Sequence, residues 1–426
     1  MKILWVVNIM LPKIAGKLNL PYSNREGWLS GIFDMISSSN EYELAVACPS
    51  DLSLRQNEVT VDGVKCYLFH EDLSNPHIET PGLRDELKSI FLDFEPDILH
   101  IFGTEFPHGL LACEVFNNPD RTLVGIQGLC HMIAKDYMAE IPFNVQKSVT
   151  FRDLIRKDSI QDQKDKFTIR GEREKKLIKA SRNITGRTAF DEKATFDINP
   201  DRRYFAMNET MRSIFYEGRW DGKSFENHSI FLVQGDYPIK GMHFLLMAAG
   251  ELLEKYPDIM IYIAGNSIIS VNSLKDRIKT PAYGRYLRKL IALNQLEGHI
   301  KVLGNLSSEQ MKEQYLKSSV LVCPSFVENS PNTIAEALLL GVPVVCSDAG
   351  GITSVISDTE GFIFERGNCE MLASKLDEVF EMEQKDMDSL SKKMELAYTR
   401  AHSDYDGNTN YSRLLQIYRL IMGYQD

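Results

Sequence analysis

The stretch VLVCPSFVENSPNTIAEALLLGVPVV, Val320 to Val345, decides the fold class. It begins with a short apolar run, Val320 to Cys323, that is typical of a buried parallel strand. Ser330-Pro331 then supplies an N-cap and a first helical position for a helix from Asn332 to Leu340. A second apolar strand follows from Pro343 to Cys346. The stretch predicts a strand–loop–helix–strand unit of an open α/β sheet, in which ligands bind at the carboxyl ends of the strands.

Two carboxylates, Glu328 and Glu336, stand in this unit with seven residues between them. Glu328 precedes the helix and Glu336 lies more than one turn into it, so they could bracket an elongated ligand whose phosphates sit at the helix start. A carboxylate accepts hydrogen bonds from hydroxyl groups, which favours a sugar or a ribose as its partner. The alternative is that Glu328 only interacts favourably with the helix dipole and that Glu336 is solvated. The apolar neighbours Ala335 and Leu338 indicate instead that Glu336 points into a packed region.

With its flanks, a following Gly-Gly pair and the later Gly361, this pattern resembles the retaining GT-B glycosyltransferases of the family-4 type, the glycosyl transferases group 1. The resemblance covers about residue 228 to the C-terminus. It implies an α/β, GT-B fold: two doubly wound Rossmann-like domains face each other across a cleft, and a C-terminal helix crosses back to the first domain. It also implies that Glu328 contacts the donor sugar, Glu336 holds the ribose hydroxyls, and the N–H groups around Asn332 and Thr333 bind the diphosphate.

Size and composition agree with two domains. The chain has 426 residues, which suffices for two α/β cores. We predict an N-terminal domain at 1–215, a C-terminal domain at 216–405 and a final helix at 406–426. The net charge of −11 argues against nucleic acid as a partner. The seven scattered cysteines fit a reducing compartment, and no signal peptide or membrane span is recognised, so we expect a cytoplasmic protein.

Strand and helix signals alternate through the first half, which predicts a parallel, doubly wound sheet. A loop is expected from Met10 to about Glu26, with a helix opening at Gly27. The predicted strands are Ile3–Ile9, Leu44–Cys48, Val64–Phe69, Ile98–Phe102, Thr122–Ile126 and Asn183–Thr188.

Two strand-end loops of this half carry polar side chains. In the first, Glu105 and His108 are candidates for the acceptor side, although a lone histidine is more often structural. The second holds Gln127, where the family commonly places a histidine near the donor sugar. Glutamine can donate to a sugar oxygen, but it cannot move a proton near neutral pH. His131, four residues on, could partly substitute.

The loop from Gly235 to Gly241 follows the first strand of the second half. By the resemblance it supplies a Gly-Arg pair and a Lys-Gly pair that bind the donor diphosphate. Lys240-Gly241 is present, but Asp236 occupies the arginine position. Arg187 is our candidate for the missing cation, with a surface role as the alternative. By the same resemblance, loops such as the one at Asn266 flank the nucleobase, mostly through backbone groups.

Residues 145 to 182 are rich in lysine and arginine. They would form either a basic face toward an anionic acceptor lipid or membrane, or a solvated helical surface with interleaved acidic residues.

We therefore predict a retaining, metal-independent hexosyltransferase with Glu328, Lys240 and Gln127 as catalytic residues and no cofactor besides its nucleotide-sugar substrate. UDP is favoured over GDP, and the acceptor would be a saccharide or a lipid-linked molecule of surface polysaccharide or glycolipid synthesis. The inner face of the membrane is an alternative location, through peripheral association. The rival functions are a nucleotide-sugar epimerase and a non-catalytic GT-B partner of another transferase.

Overall fold

The computed structural model of the chain describes residues 1–20, 27–38, 41–51, 53–54, 56–270 and 278–424. The chain divides into two compact units. Unit 1 comprises Met1–Ala134, Lys166–Arg212 and Tyr405–Asp426, and unit 2 comprises Lys135–Asp165 and Ser213–Asp404.

One segment groups differently from the sequence-based domains. Residues 135–165, which we predicted within the N-terminal domain, cluster with unit 2. Hydrogen bonds within unit 2 hold it there: the Asp153 carboxylate accepts from the Ala282 N–H at 3.0 Å, and His243 Nε2 lies 2.9 Å from the Ala139 carbonyl. A run of polar, helix-forming residues does not encode such backbone contacts, so its sequence could not reveal which unit it joins.

Unit 1 contains an eight-stranded sheet in the order β3-β4-β2-β1-β5-β6-β7-β8, parallel except for the β3–β4 hairpin. Side chains of β1 alternate between two apolar layers, with Ile3, Trp5 and Val7 in one and Leu4 and Val6 in the other, as a strand covered on both faces requires. Strands β3 and β8 were not predicted. The strands are β1 Lys2–Val7, β2 Glu43–Ser50, β3 Glu58–Val61, β4 Val64–His70, β5 Ile98–Phe102, β6 Thr122–Gly125, β7 Asn183–Gly186 and β8 Arg203–Ala206.

Helices cover both faces of this sheet. The region predicted as a loop after β1 contains a short helix, Pro12–Lys17, because proline is well placed at a first helical turn. Residues 21–26 of that predicted loop lie outside the described residues. The other helices of unit 1 are Gly27–Ser37, Leu83–Phe94, Pro107–Phe116, Ala189–Ile198 and Gly407–Met422; Cys130–Asp136 and Ile160–Ala180 contain points where the chain passes between units.

The last helix, Gly407–Met422, packs into unit 1, where its Tyr418 is fully buried. The Tyr418 hydroxyl accepts from Trp5 Nε1 at 2.8 Å and lies 2.7 Å from His100 Nδ1. Burial lowers the pKa of His100 to about 3, so its ring is neutral. A neutral ring can accept a hydrogen bond at Nδ1 from the Tyr418 hydroxyl. This buried chain of hydrogen bonds fixes the terminal helix against β1 and β5.

Unit 2 contains a six-stranded, all-parallel sheet in the order β11-β10-β9-β12-β13-β14. The chain builds outward from β9 through β10 to β11 and then returns to place β12 on the other side of β9. The strand order therefore reverses between β9 and β12, and ligands of open α/β sheets bind at such a point. The strands are β9 Glu226–Leu232, β10 Met260–Ala264, β11 Ile300–Gly304, β12 Ser318–Cys323, β13 Val344–Ser347 and β14 Phe362–Phe364.

The helices of unit 2 are Phe143–Gln146, Phe151–Arg156, Met242–Leu252, Ala282–Leu293, Ser308–Lys317, Asn332–Leu339, Ile352–Val355, Cys369–Lys385 and Met387–Asp404. Within the described ranges, no helix is both long enough and apolar enough to cross a membrane.

Candidate active site

The candidate site lies in unit 2, where the loops that follow β9 and β12 meet. The β9 loop ends in a 3-10 turn, Pro238–Lys240, and Gly241 then starts the next helix with φ of 72°. A Cβ atom on Gly241 would collide with the carbonyl oxygen of Pro324 in the β12 loop. Only glycine therefore allows the two loops to approach this closely, and the Lys-Gly pair seen in the sequence has a structural reason.

This approach brings Lys240 and Glu328 together. Lys240 Nζ lies 2.5 Å from Glu328 Oε1, which also accepts from the Ser325 hydroxyl at 2.9 Å. Burial alone would lower the pKa of Lys240, but the adjacent Glu328 carboxylate outweighs it and raises that pKa above its ordinary value. The lysine is therefore a fixed positive charge at the carboxyl ends of β9 and β12.

The Gly350-Gly351 turn holds the Glu328 backbone. Gly350 has φ of 57°, and a Cβ there would collide with the Glu328 carbonyl oxygen. The same carbonyl accepts from the Gly351 N–H at 3.0 Å. The Gly-Gly pair of the sequence thus positions the loop that carries the first glutamate.

Glu336 lies on the helix Asn332–Leu339 and is 7% exposed. Its Oε2 accepts from the Tyr315 hydroxyl at 3.0 Å, and that hydroxyl also lies 3.3 Å from the Thr333 carbonyl. Pro331 occupies the N-cap position and has no side-chain acceptor, so it cannot satisfy the N–H groups of Asn332 and Thr333. The helix start therefore offers backbone donors beside the buried carboxylate.

Gly235 and Asn266, predicted for donor binding, also belong to unit 2. Gly235 is buried, and a Cβ there would lie 2.6 Å from Met242 Sδ, so the methionine side chain would have to move to admit it. Asn266 is exposed just after Gly265, which has φ of 86°. Asn266 and Asp236 line a cavity of about 460 Å³ in unit 2 that also includes Arg152.

Gln127 and Arg187 come together in unit 1, whereas Lys240 and Glu328 belong to unit 2. Arg187 Nη1 lies 2.6 Å from Glu209 Oε2, and Nη2 donates to the carbonyls of Ile126 and Gln127 at 3.3 and 3.2 Å. Burial raises the pKa of Glu209, although the adjacent Arg187 guanidinium opposes that rise. The roles of Gln127 toward the sugar and of Arg187 toward the diphosphate stay predictions.

The acceptor-side candidates His108 and His131 each pair with a carboxylate at a helix start. His108 is 1% exposed, and its Nδ1 lies 2.6 Å from Glu71 Oε2, while Glu71 also accepts from the His108 N–H. Glu174 makes the same two contacts with His131, with Nδ1 at 2.5 Å. These contacts account for both histidines as parts of capping arrangements, so their contact with an acceptor stays a prediction without support from the geometry.

Glu105 joins the two polar strand-end loops of unit 1. Its Oε1 accepts from the Gly128 N–H at 2.9 Å, and burial raises the pKa of its carboxyl. The loops after β5 and β6 are thus tied together, as expected for the ends of neighbouring parallel strands. The acceptor role of Glu105 also remains a prediction.

Sequence reasoning missed the carboxylates Glu71, Glu174 and Glu209 and the hydroxyl of Tyr315. Each contacts a partner that is distant in the chain, so local sequence patterns give little indication of these residues. The exception is Glu71, whose position directly after the predicted strand ending at Phe69 could have indicated a strand-end ligand. Among the described residues, no group of three or more His, Cys, Asp or Glu could hold a metal ion.

Comparisons with known proteins agree with this geometry. The family Glycosyl transferases group 1 matches residues 217–396, which include Lys240, Glu328 and Glu336. The chain has the GT-B fold, and its residues 217–396 match the glycosyltransferase group 1 domain. Sucrose-phosphate synthase from Thermosynechococcus elongatus shares the fold with a TM-score of 0.73 at 13% identity, covering 99% of this chain and 100% of that one.

Two further proteins extend the comparison. The structure of Anabaena HepE in complex with UDP-glucose aligns with a TM-score of 0.67 at 15% identity, over 98% of this chain and 99% of that one. Phosphatidyl-myo-inositol mannosyltransferase of Mycolicibacterium smegmatis is 25% identical over 207 residues, 48% of each chain. The chain spans less than half the length of the curated relatives that it matches.

Proposed function

We propose that the protein transfers a glycosyl group from a nucleoside diphosphate sugar to an acceptor hydroxyl, with retention of configuration and without a metal ion. The observation that carries the proposal is the arrangement in unit 2: the Lys240–Glu328 pair and the helix start at Asn332 and Thr333 lie where the strand order reverses. A lysine and free backbone N–H groups suit a diphosphate. Glu328 and Glu336 supply acceptors for the hydroxyls of sugar and ribose.

In this reaction the diphosphate is the leaving group, and negative charge develops on it as the glycosidic bond breaks. Lys240, whose pKa stays high beside Glu328, would stabilise that charge together with the dipole of the helix Asn332–Leu339. Glu336, buried and held by Tyr315, would accept hydrogen bonds from the ribose. This division of roles assigns chemistry to Lys240 and recognition to Glu336.

The finer parts of the proposal concern the substrates. UDP is the proposed nucleotide, in agreement with the UDP-glucose complex of HepE, and a hexose is the proposed sugar. The acceptor is proposed as a saccharide or lipid-linked molecule of surface polysaccharide or glycolipid synthesis. A relative named for mannosyl transfer to phosphatidyl-myo-inositol supports the lipid-linked class.

A non-catalytic partner role is the second candidate, and Asp236 favours it. This aspartate occupies the position where the resemblance places a diphosphate-binding arginine, and it lines the cavity beside Asn266. A carboxylate there repels a diphosphate, so nucleotide binding would depend on other groups, Lys240 and the helix start among them.

Calorimetric titration of the full chain with UDP, GDP and 2′,3′-dideoxy-UDP tests the proposal. We expect UDP to bind the wild type more tightly than the dideoxy compound, and Glu336→Ala to lose this preference because the ribose contact is gone. Glu313→Ala removes a 67% exposed glutamate of unit 2 and serves as the control. Absence of binding by both UDP and GDP would overturn the proposal in favour of the partner role.

Binding alone does not establish transfer. Incubation with UDP-hexoses, alone and with saccharide acceptors, should release UDP faster when an acceptor is present, and NMR of the product should show the anomeric configuration of the donor. An inverted product would contradict retention. Conversion of the donor sugar without an acceptor would indicate an epimerase.

A further inference from the structure

Exposed apolar side chains concentrate in one short segment of unit 2. Of the 16 large hydrophobic residues that are exposed within the described ranges, five lie between positions 143 and 155. Isolated surface hydrophobics are common in proteins, but a cluster of them marks an interaction surface. The five are Phe143, Val149, Phe151, Leu154 and Ile155.

Three of these residues share one face of the helix Phe151–Arg156. Phe151, Leu154 and Ile155 follow the i, i+3, i+4 spacing that places side chains on one side of a helix, and they are 62%, 70% and 66% exposed. We call these three residues the Phe151 face. Because they are exposed together, this helix presents its apolar side to the surroundings of the protein, the reverse of a helix that covers a core.

The opposite side of the same helix is anchored by Asp153. Asp153 is 1% exposed, and its Oδ2 accepts from the N–H groups of Thr150 and Ala282, both at 3.0 Å. Thr150 completes a capping box with Asp153 at the helix start. The helix cannot rotate its apolar side inward without breaking these buried bonds, so the Phe151 face is fixed outward.

Positive charge adjoins the Phe151 face. Arg156 and Lys157 follow Ile155 and are exposed, and neither forms an ion pair with any residue that the structure describes. The acidic residues closest to them in sequence, Asp153 and Asp158, are both held by Arg152 at 3.1 Å, while Arg156 also lines the cavity that includes Asp236. A chain of net charge −11 thus presents a local cationic edge beside an exposed apolar one.

The rest of the basic stretch is occupied differently. On the helix Ile160–Ala180, Arg170 donates to the Glu105 carbonyl at 3.0 Å, Arg173 donates to the Pro76 carbonyl, and Lys175 pairs with Glu172. These residues stabilise unit 1. We therefore restrict the basic surface predicted from the sequence to the part next to the Phe151 face, where the cations remain available for a partner.

We propose that the Phe151 face and its two cations dock on a bilayer surface that carries anionic lipid headgroups. Apolar side chains beside lysine and arginine match the two layers of such a surface: the rings and alkyl chains enter the acyl boundary, and the cations meet the headgroups. A second copy that docked through the same face would place the cations Arg156 and Lys157 opposite their own equivalents, which favours the anionic lipid over self-association. The docking does not require glycosyl transfer, but it would place the protein where a lipid-linked acceptor is found.

The test measures binding of the full chain to vesicles of phosphatidylcholine, with and without phosphatidylglycerol, by co-sedimentation. The first variant is Phe151→Gln/Leu154→Gln/Ile155→Gln. Its matched control is Leu92→Gln/Leu293→Gln/Leu396→Gln, three scattered leucines that are 79%, 65% and 57% exposed. The second variant is Arg156→Gln/Lys157→Gln. Thermal unfolding shows whether each variant is folded; UDP titration does not serve for the charge variant, because Arg156 lines the cavity that contains Asn266.

We expect the wild type and the leucine control to bind anionic vesicles and to bind neutral ones weakly. The apolar variant should lose about tenfold or more in affinity, and the charge variant about tenfold, mainly on anionic vesicles. No vesicle binding by the wild type, or equal binding by the apolar variant, would overturn the proposal. A wild-type dimer that the apolar variant abolishes would also overturn it and assign the face to self-association. If UDP binding persists while vesicle binding is absent, the proposed function stands without this surface.

Discussion

Arg187 and Glu209 form a buried ion pair of 2.6 Å in unit 1, with side chains that are 6% and 7% exposed. The same guanidinium donates to the carbonyls of Ile126 and Gln127. A carboxylate that sequence reasoning missed therefore orients the arginine, and the arginine fixes the backbone of the loop that carries Gln127.

Breaking this pair should strongly destabilise the protein. Glu209→Leu leaves a buried, unpaired guanidinium and Arg187→Met leaves a buried carboxylate, so each should cost about 3–5 kcal/mol. The double variant Arg187→Met/Glu209→Leu should lose much less than the sum, because no charge remains unpaired. Denaturant unfolding of the four proteins measures the coupling.

The exposed pair Arg84–Glu114 provides the control, with side chains that are 43% and 42% exposed. Its removal should cost less than about 1 kcal/mol. Additive losses for Arg187 and Glu209 would show that the two side chains act independently and would contradict the argument.

Substitutions of Lys240 and Glu328 should affect UDP affinity and donor turnover differently. Lys240→Met removes the cation for the diphosphate, and we expect UDP affinity to fall about tenfold to a hundredfold. Glu328→Gln removes a carboxylate beside the phosphates, so UDP should bind as well as to the wild type or better, while donor turnover falls by about a hundredfold or more.

Calorimetry gives the affinities, and release of UDP gives the turnover. Lys255→Met is the matched control, because Lys255 is about half exposed and pairs with Asp377 and Glu381 on the surface. Unchanged UDP affinity in Lys240→Met would exclude this lysine as the diphosphate ligand.

The fold and the positions of Glu328 and Glu336 within it could be predicted because local signals mark them. The apolar strand before Pro324 and the Gly-Gly pair each have a backbone reason that the structure shows. The N-cap predicted at Ser330 is one residue too early, because Pro331 occupies that position and makes no side-chain cap. These signals place Glu328 and Glu336 at the carboxyl end of β12 and on the following helix.

The remaining features depend on contacts between distant parts of the chain. Lys240 and Glu328 are 88 positions apart, and Arg187 pairs with Glu209, which follows a strand that was not predicted. The grouping of residues 135–165 rests on the backbone contact of Asp153 with Ala282. Periodicity and turn signals describe neighbours in sequence, so they contain no information on these partners.

The Tyr315 hydroxyl should matter for nucleotide binding although Tyr315 is fully buried. It donates to Glu336 Oε2 at 3.0 Å and thereby orients the carboxylate that we assign to the ribose. Tyr315→Phe should weaken UDP binding by about 3–10-fold, which is less than Glu336→Ala, and should not alter binding of 2′,3′-dideoxy-UDP.

Tyr256→Phe is the matched control, since the Tyr256 hydroxyl donates to Asp377 at 2.6 Å elsewhere in unit 2. Equal losses for UDP and the dideoxy compound in Tyr315→Phe would mean that the hydroxyl supports the fold of the site and not the ribose contact.

The titration of Glu383 should make the protein less stable as the pH rises. Burial raises the pKa of this glutamate to about 8, and the Ser319 hydroxyl 3.1 Å from Oε2 only partly offsets that rise. The folded protein thus holds a proton on Glu383 that the unfolded chain, with an ordinary pKa of about 4.3, releases at much lower pH. Between these two values the folded state binds more protons, so wild-type stability decreases with increasing pH and levels off above about 8.

Glu383→Gln keeps an acceptor for Ser319 and removes this titration. Its Tm should exceed that of the wild type at pH 8, with a difference that shrinks as the pH approaches 5. Glu381→Gln, on the same helix, should behave oppositely: hydrogen bonds from Lys255 and Lys385 lower the pKa of Glu381, so its charged form stabilises the protein above the ordinary pKa of a glutamate. Thermal unfolding of the three proteins from pH 5 to 9 measures these slopes. A Glu383→Gln protein whose Tm follows that of the wild type at every pH would show that this carboxyl is ionised in the folded state with no cost to stability.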